Sequence, residues 1–454
     1  MKPARPGLVE TRTWALVLLC AVQLMLILDF SIVNVALPAI GHQLGLSRSG
    51  LQWVASTYGL ALGGLLLLGG RLADLLGRRR LFVAGLAVFG AASLTGGLAV
   101  SGLMLILMRA AQGMGAAMVA PALLSLITTT FAEGPQRDRA LGWFGAAAAS
   151  GFALGVFLGG VLTQFLSWRA VLFVNVPLAA IAIPLALRLF PDTPGLGAAH
   201  GFDLPGALTV TAGLLVVIYG LIQVSQSGIA AVTVVSCMAG VVLLTGFIWH
   251  ENRARVPLMP LGIFRIRALA AANGVAVLVS MIMGAAVLLL SLQLQDVDGL
   301  SPLSAGLAFL PLGVLVGAVA VISPRLAMRF GLKPVLVTAT ALMTIGALLL
   351  ARVTAASSYA AVVLPGMVVL AIGFGAFIST ATIAATDGVK DEQQGLAAGL
   401  LNSAQQIGGS LGIALLVTLA SDHARAVAGS TGVRLRAGRP TWFLVPVPGL
   451  CNCR

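Results

Sequence analysis

The sequence predicts an all-α integral membrane protein, and three observations support this prediction. Of the 454 residues, 59% are hydrophobic and only 9% are charged, whereas soluble domains contain roughly 45–50% apolar and about 25% charged residues. The mean hydropathy is +1.04. The 55 glycines are typical of membrane helices that pack closely together. This composition excludes a soluble enzyme, a nucleic-acid-binding domain and a disordered chain.

Thirteen apolar runs are long enough to cross a bilayer, because about 20 helical residues span a hydrocarbon core of about 30 Å. Open strands would leave backbone groups unsatisfied in lipid, so each run is expected to be a helix. The predicted spans are 14–38, 51–70, 81–99, 102–130, 141–163, 168–190, 204–224, 229–249, 268–292, 303–323, 334–351, 360–383 and 396–420.

The basic residues predict which ends of the spans face the cytoplasm. With the N-terminus inside, the inner loops hold 18 Lys and Arg residues, while the outer loops up to residue 421 hold only three, Arg48, Arg169 and Arg352. Because basic loops remain on the cytoplasmic side, we expect a multi-pass protein of the inner (cytoplasmic) membrane with a cytoplasmic N-terminus. Topology therefore explains the net charge of +13, and no nucleic-acid partner is expected.

A short segment of the sequence is repeated. Arg71–Gly77 reads RLADLLG, and Arg325–Gly331 reads RLAMRFG, each after the second span of a bundle. Two parallel halves with a cavity between them are a transporter architecture. We therefore expect four regions, namely an N-terminal six-helix bundle, two inserted helices with linkers, a C-terminal bundle with five recognisable helices and an atypical tail. Their boundaries are 1–190, 191–255, 256–422 and 423–454.

Several motifs resemble those of the major facilitator superfamily, in particular its fourteen-spanner drug:proton antiporter branch. Residues 70–80 (GRLADLLGRRR) resemble motif A, residues 28–38 (LDFSIVNVALP) resemble the first-helix motif, and residues 109–117 (RAAQGMGAA) resemble motif B. The glycines of the antiporter motif C correspond to Gly151, Gly155, Gly159 and Gly160. The resemblance extends from about residue 12 to about residue 421. It implies two six-helix bundles with two inserted helices, and proton-driven export of drugs or other lipophilic compounds.

Three departures from the family pattern stand out. Leu75 replaces the usual basic residue of motif A, and Val156 replaces the usual proline of motif C. After Ser421, the apolar run from Trp442 to Leu450 is too short to span a bilayer, so the last helix of the fold is expected to be missing. These departures leave open a proton-coupled importer or uniporter, and a non-transporting or impaired truncated membrane protein.

Two charged residues inside predicted spans are candidates for proton coupling. Asp29 lies 15 residues into the first span and Arg109 seven residues into the fourth. At 1.5 Å per residue, both sit about 8–10 Å from the outer side of the apolar layer. A buried charge in a membrane normally faces a cavity or a partner, and the resemblance implies that the first and fourth helices lie side by side around the cavity. We therefore expect Asp29 to pair with Arg109 and to carry the proton. A purely structural pair is the alternative.

The resemblance assigns roles to further residues. It implies a conformational gate on the cytoplasmic side, in which Asp74 faces a helix N-terminus of the other half; a solvated loop is the alternative. The gate comprises Gly70, Asp74, Gly77 and Arg78. The motif C glycines form a small-residue face on one helix. Its role is helix packing, a hinge for antiport, or both. Polar and aromatic residues of the spans are candidates for a substrate cavity, although packing roles are equally compatible with them. These are Asn34, Tyr58, Gln112, Asn273 and Gln405.

The sequence indicates neither a cofactor nor a metal site, and no enzyme. Of the four cysteines, Cys20 and Cys237 lie in apolar spans and Cys451 and Cys453 at the C-terminal end, which indicates no disulfide framework and no tetrahedral metal set. A Walker-type glycine loop is absent from the sequence, so ATP is not expected to drive transport. The expected partners are a small lipophilic substrate, protons and the lipid bilayer, and the protein is expected to be a monomer.

Overall fold

The computed structural model is helical throughout the part of the chain that it describes, with no strand in that part. The described residues are 6–131, 135–192, 203–227, 231–254, 261–353, 357–387, 389, 397 and 399–413. The predicted atypical tail, 423–454, lies outside these residues.

Seven helices build the first half of the molecule. They are α1 (Pro6–Leu44), α2 (Arg48–Leu76), α3 (Arg78–Gly97), α4 (Gly102–Thr130), α5 (Pro135–Phe165), α6 (Ala170–Phe173) and α7 (Asn175–Leu189). The predicted sixth span, 168–190, is thus two helices that meet at Val174. Pro177 explains the interruption, because it has no N–H to donate to the carbonyl of Phe173 four residues earlier.

Six more helices follow. They are α8 (Leu204–Ser227), α9 (Ala231–Glu251), α10 (Arg267–Leu292), α11 (Pro302–Phe330), α12 (Leu332–Leu350) and α13 (Leu364–Thr386). A π-helical turn, Gln293–Val297, extends α10, and another, Tyr359–Val363, precedes α13. Residues 399–413 are helical as well. Helices α8 and α9 pack against each other, and α8 also packs against α2.

Ten of the described helical segments are long and apolar enough to cross a membrane. They are Arg12–Leu44, Arg78–Gly97, Gly102–Ile127, Trp143–Phe165, Ala170–Leu189, Ala231–Glu251, Arg267–Val297, Pro302–Phe330, Leu332–Leu350 and Tyr359–Ala385. Side chains on α9 such as Val235 and Val242 are about two-thirds exposed, as expected for a surface that faces lipid. The prediction of an all-α multi-pass membrane protein is confirmed.

Serine side chains cap the starts of three helices. Ser47 Oγ accepts a hydrogen bond from the N–H of Gly50, at the start of α2. Ser101 caps α4 and Ser301 caps α11 in the same way. Such caps satisfy N–H groups that have no partner within the helix. The starts of these three helices lie on the same side of the molecule as Leu44, where α1 ends. We call this side the Leu44 face.

The two halves are joined toward the Leu44 face. Ser291 Oγ on α10 donates a hydrogen bond to the carbonyl of Asn34, at 2.9 Å. In the next turn, Gln295 Nε2 donates to the carbonyl of Val35, also at 2.9 Å. These contacts hold the end of α10 against the end of α1.

Helices α2 and α5 complete this junction. Ser410 Oγ donates to the carbonyl of Ser56 on α2, at 3.1 Å. On α5, a Cβ atom added to Gly160 would come within 2.6 Å of the carbonyl oxygen of Pro302, so α5 and α11 are in backbone contact there. An apolar cluster around Ile32 and Ile40 also includes Leu288 from the second half. The molecule is therefore closed at the Leu44 face.

Candidate functional site

Asp29 and Arg109 form a buried ion pair in the first half. The Nη1 atom of Arg109 lies 2.6 Å from Oδ2 of Asp29, and the two side chains are 1% and 0% exposed. Asp29 is on α1 and Arg109 is on α4, so the pair joins two spans. Removing one member of such a pair is costly, because the other charge is left buried and unpaired. The structure thus brings together the two residues that the sequence singled out.

Uncharged side chains complete the coordination of the Asp29 carboxylate. Its Oδ1 atom accepts hydrogen bonds from Gln112 Nε2 at 3.1 Å and from Asn175 Nδ2 at 2.6 Å. Gln112 Nε2 also donates to Ser93 Oγ at 2.6 Å. All three uncharged residues are fully buried. We call these five residues, Asp29, Ser93, Arg109, Gln112 and Asn175, the Asp29 network.

Four helices supply the network, and local sequence explains two of its positions. Arg109 and Gln112 are three residues apart on α4 and therefore share a face, where Arg109 Nη1 donates to Gln112 Oε1 at 3.1 Å. Asn175 is the first residue of α7, directly after the interruption at Val174. Ser93 lies on α3. The network therefore binds α1, α3, α4 and α7 into one unit.

Arg109 also holds helix α2. Its Nε atom donates to the carbonyl of Val54 at 3.4 Å, and its guanidinium carbon lies 4.5 Å from the centre of the Tyr58 ring. The Tyr58 hydroxyl donates to the carbonyl of Leu26 on α1, at 3.3 Å. Arg109 thus connects the ion pair to α2.

The motif C glycines lie at two helix contacts. A Cβ atom at Gly151 would lie 3.0 Å from the carbonyl oxygen of Leu24, and one at Gly155 would collide with Ser31. Gly159 likewise abuts α1, at the carbonyl oxygen of Ile32, whereas Gly160 faces α11. The face is thus in tight helix packing, and Gly160 extends it to the second half.

The predicted gate residues surround the α2–α3 connection. Gly77 alone joins the two helices, and Arg78 begins α3, where it is half-buried. Gly70 has open space beside it, since an added Cβ would meet only the Pro121 side chain, at 3.8 Å. The side chain of Asp74 lies outside the part of the structure that is described. The predicted contact of Asp74 with a helix N-terminus is therefore still a prediction.

Arg79 and Arg80, next to these residues, bind the end of α7. Arg79 Nη1 donates to the carbonyl of Phe190 at 3.1 Å, and both guanidinium groups contact the Asp192 carboxylate within 3.1 Å. The hydrogen bond from Arg80 lowers the pKa of Asp192 below its ordinary value, and the charge of Arg79 adds a smaller shift in the same direction. These arginines thus fix the α3–α7 contact.

The predicted cavity residues do not share one location. Tyr58 and Gln112 belong to the surroundings of the ion pair, and both are buried. The side chain of Asn34 donates to the carbonyl of Phe30, and that of Asn273 to the carbonyl of Leu269, each four residues earlier in its own helix. Gln405, on the helical segment 399–413, is half-buried. Four of the five are thus engaged in protein contacts in this conformation.

Asn175 and Ser93 are network residues that the sequence analysis did not select. The available signal was their polarity within predicted apolar spans. Polarity alone does not separate them from other serines and asparagines, because hydrogen bonding to a helix carbonyl also satisfies such side chains. Within the described residues, no group of three or more His, Cys, Asp and Glu side chains is arranged to hold a metal ion.

Comparison with known proteins gives consistent results. The chain is 40% identical to the puromycin resistance protein pur8 of Streptomyces alboniger, over 90% of this chain and 82% of the relative. It is 39% identical to the cephamycin export protein CmcT of Amycolatopsis lactamdurans, over 92% of this chain and 87% of the relative. The crystal structure of a bacterial homologue of the human lysosomal transporter Spinster, inward-facing and unoccupied, matches with a TM-score of 0.63. That match has 16% identity and covers 94% of this chain and 86% of the other, and it shows a shared fold.

The sequence pattern of the Major Facilitator Superfamily matches residues 19–413. The superfamily fold, the relatives and the apolar helices agree with one another, and they describe a membrane transporter of small molecules rather than an enzyme. This chain therefore belongs to the Major Facilitator Superfamily.

Proposed function

We propose that this protein exports small lipophilic, drug-like compounds or antibiotics in exchange for protons. The Asp29 network is the observation that carries the proposal, because it holds a fully buried carboxylate within a membrane span. Ionisable groups at such depth are costly to bury and commonly mark ion or proton pathways. The names of the two relatives, which refer to puromycin resistance and cephamycin export, support export as the direction and a drug-like molecule as the cargo.

The proposed orientation places the N-terminus in the cytoplasm of a cell whose inner membrane holds the protein. The excess of basic residues in the loops on that side, 18 against three, supports it. The Leu44 face then lies outside, so the closed junction of α1, α2 and α5 with the second half blocks access from the exterior. In this orientation, Trp143 on α5 and Met328 on α11, which are 66% and 80% exposed, lie toward the cytoplasm.

Protonation of Asp29 is the proposed coupling step. A proton from outside neutralises the carboxylate, and the attraction to Arg109 falls to that of a hydrogen bond. The guanidinium is then a buried cation without a counterion, which is a costly state. We infer that rearrangement around Arg109 relieves this cost, and that return of the proton to the cytoplasm restores the pair.

Helix α2 is the proposed link between the pair and the junction of the halves. Val54 and Tyr58 contact Arg109, and Ser56, between them in sequence, accepts the hydrogen bond from Ser410. One turn of α2 therefore contacts the charged pair on one side and the second half on the other. Movement of Arg109 can alter the junction directly through this turn.

The other site residues keep proposed roles in the same cycle. Gly70, Asp74, Gly77 and Arg78 form the cytoplasmic gate, and the motif C glycines allow α5 to slide against α1 and α11. Asn34, Tyr58, Gln112, Asn273 and Gln405 line the substrate cavity in another conformation than this one. A monomer is sufficient, with bundles at 1–190 and 256–422 and the inserted pair within 191–255.

Accumulation of the dye ethidium in cells that lack their own pumps tests the proposal. Expression of the protein is expected to lower accumulation, and an uncoupler is expected to restore it. Asp29→Asn should abolish the uncoupler-sensitive part at normal membrane levels. Asp192→Asn is the matched control, because Asp192 is exposed at the end of α7 and outside the network.

Each other outcome would contradict a specific part of the proposal. Increased accumulation would indicate an importer. No change with any of several lipophilic cationic dyes and antibiotics would indicate an impaired protein. Uphill export by Asp29→Asn under a proton gradient would place the proton carrier elsewhere.

A further inference from the structure

Two of the three donors to the Asp29 carboxylate cannot accept a hydrogen bond in return. Arginine has no acceptor atom. Gln112 is fixed at both ends, since its Oε1 accepts from Arg109 and its Nε2 donates to Ser93. Both donors suit an ionised carboxylate. Neither residue suits a protonated carboxyl group, because its O–H must donate a hydrogen bond to an acceptor.

Asn175 differs from these two donors. Its Nδ2 atom donates to Asp29 Oδ1 at 2.6 Å, but its Oδ1 atom has no hydrogen-bond partner among the described residues. The side chain is 0% exposed. A buried acceptor without a donor is unfavourable and calls for an explanation.

We propose that Asn175 is the positioning residue that stabilises both charge states of Asp29, by rotating its amide when the proton binds. In the ionised state, the amide nitrogen donates to the carboxylate. After rotation by about half a turn, the amide oxygen occupies the place of the nitrogen and accepts from the O–H of protonated Asp29. Binding of the proton forms the O–H bond of Asp29, and no other covalent bond of the protein is made or broken.

Ser93 is placed to take part in the same exchange. Its Oγ atom lies 3.3 Å from Asn175 Nδ2 and 2.6 Å from Gln112 Nε2, and it accepts from both amides. A hydroxyl can also donate, so its proton can turn to the rotated amide oxygen of Asn175. Rotation therefore gives the orphaned oxygen two donors, Asp29 and Ser93. The amide nitrogen gives up its bonds to these two residues and takes the position that the oxygen held.

The surroundings leave Asp29 as the group whose charge changes. Arg109 on α4 is its charged partner. Tyr58 on α2 is the titratable neighbour, and its hydroxyl donates to a carbonyl. On α3 and α7, Ser93 and Asn175 are uncharged. Helix α5 presents the glycines of motif C to α1.

The inference rests on the proposed function, because it assumes that Asp29 takes up the proton. Infrared spectroscopy of the purified protein tests both without a substrate. The carbonyl band of protonated Asp29, identified by its loss in Asp29→Asn, is followed from pH 4 to pH 10. Its half-titration point in the unmodified protein is the reference.

Two variants of Asn175 test the rotation. Asn175→Leu removes a hydrogen-bond partner from both charge states of Asp29, so the half-titration point should stay within about half a pH unit of the reference, while the protein unfolds more easily at both ends of the pH range. Asn175→Asp is a positive control and should raise the half-titration point, because two carboxyls in one site retain a proton to higher pH. The carbonyl band of the new carboxyl at residue 175 is identified in the double variant Asp29→Asn with Asn175→Asp, which has no carboxyl at residue 29. Gln52 is another buried amide of the first half and lies outside the network. Gln52→Leu should therefore leave the half-titration point unchanged.

The outcomes separate the two ideas. A rise of about one pH unit or more in Asn175→Leu would show that Asn175 only donates to the ionised carboxylate, and it would overturn the inference. If Asn175→Leu does not fold, the same rise in Asn175→Ala overturns it equally. Absence of any Asp29-dependent band across the pH range would instead overturn the proposed function.

Discussion

Gly77 and Gly331, 254 residues apart in the chain, have nearly the same backbone conformation. Their φ and ψ angles are 94° and 137° for Gly77 and 90° and 157° for Gly331. Each is the single residue between two helices, α2 and α3 in the first half and α11 and α12 in the second. The short repeat in the sequence thus marks the same turn in both halves.

Alanine at either turn is expected to destabilise the protein. This backbone region is nearly exclusive to glycine, and a side chain there costs about 1–3 kcal/mol. Thermal unfolding in detergent should show a lower midpoint for Gly77→Ala and for Gly331→Ala. Gly262→Ala is the control, since an added Cβ meets nothing within 4 Å there. Equal midpoints for all three variants would contradict the prediction.

Alanine at Gly155 is expected to disrupt the contact between α5 and α1. The new methyl group would collide with Ser31 and approach the carbonyl oxygen of Leu28 to 2.7 Å. Overpacking of this kind typically costs about 1–3 kcal/mol. Gly145→Ala, on the same helix but with nothing within 4 Å, should be at least as stable as the unmodified protein, because alanine favours the helix over glycine. A similar loss in both variants would contradict the prediction, since it could not then arise from the α5–α1 contact.

A double-mutant cycle is expected to show strong coupling between Asp29 and Arg109. Each single replacement, Asp29→Leu or Arg109→Met, leaves one buried charge and should cost about 3–5 kcal/mol. The double variant should be more stable than the sum of the single effects implies, because it has no unpaired charge. The free energy of unfolding in detergent measures the cycle. Additive effects would show that the pair contributes no interaction of its own.

Loss of the hydrogen bonds at the Leu44 face is expected to favour its opening. Ser291→Ala and Gln295→Leu together remove the donors to the carbonyls of Asn34 and Val35. At about 0.5–1.5 kcal/mol each, their loss should raise the ratio of open to closed molecules by roughly 5- to 150-fold. The distance between spin labels at Val100 and Ser304 reports the opening. Thr344→Ala is the control, since Thr344 bonds only within α12, and an unchanged distance distribution in the double variant would contradict the prediction.

Asp203 is expected to stabilise the α8–α9 pair in a pH-dependent manner. Burial alone would raise the pKa of Asp203, but hydrogen bonds from the N–H of Gly206 and from His250 hold it below the ordinary value. Because the folded-state pKa is depressed, the stabilisation is complete above the unfolded-state pKa of about 3.9. It disappears as the pH falls through the folded-state value.

Comparison of Asp203→Asn with the unmodified protein measures this contribution. The variant should unfold at a lower temperature at pH 6, and the difference should shrink at pH 3. His250→Gln should show a smaller loss at pH 6, since the bond from Gly206 remains. A difference that grows toward low pH would have the wrong sign and would refute the assignment.

The ion pair was predictable from depth, chemistry and the family resemblance, whereas its uncharged partners required the three-dimensional structure. A charge within a span needs a partner, Asp29 and Arg109 lie at a similar depth, and the resemblance implied that their helices are neighbours. Asn175, at the start of α7, reaches the carboxylate through the packing of α7 against α1, and this contact is visible only in three dimensions. For a similar reason, the sequence did not determine what the side chains of Asn34 and Gln112 contact. A polar side chain in a helix can face a cavity, a neighbouring helix or its own backbone, and packing decides among these.

All the hydrogen-bond partners found for Asp29 lie within the first 190 residues, and this has a consequence for how such a protein can diversify. In the proposed mechanism, the proton-coupling residues meet the other half through α2, among the described residues. Replacement of cavity residues in the C-terminal half, such as Asn273 and Gln405, would then alter cargo preference without disturbing the ion pair. A chimaera that combines residues 1–190 with the second half of a relative should therefore keep its proton coupling, while its cargo range changes through the cavity residues of the second half.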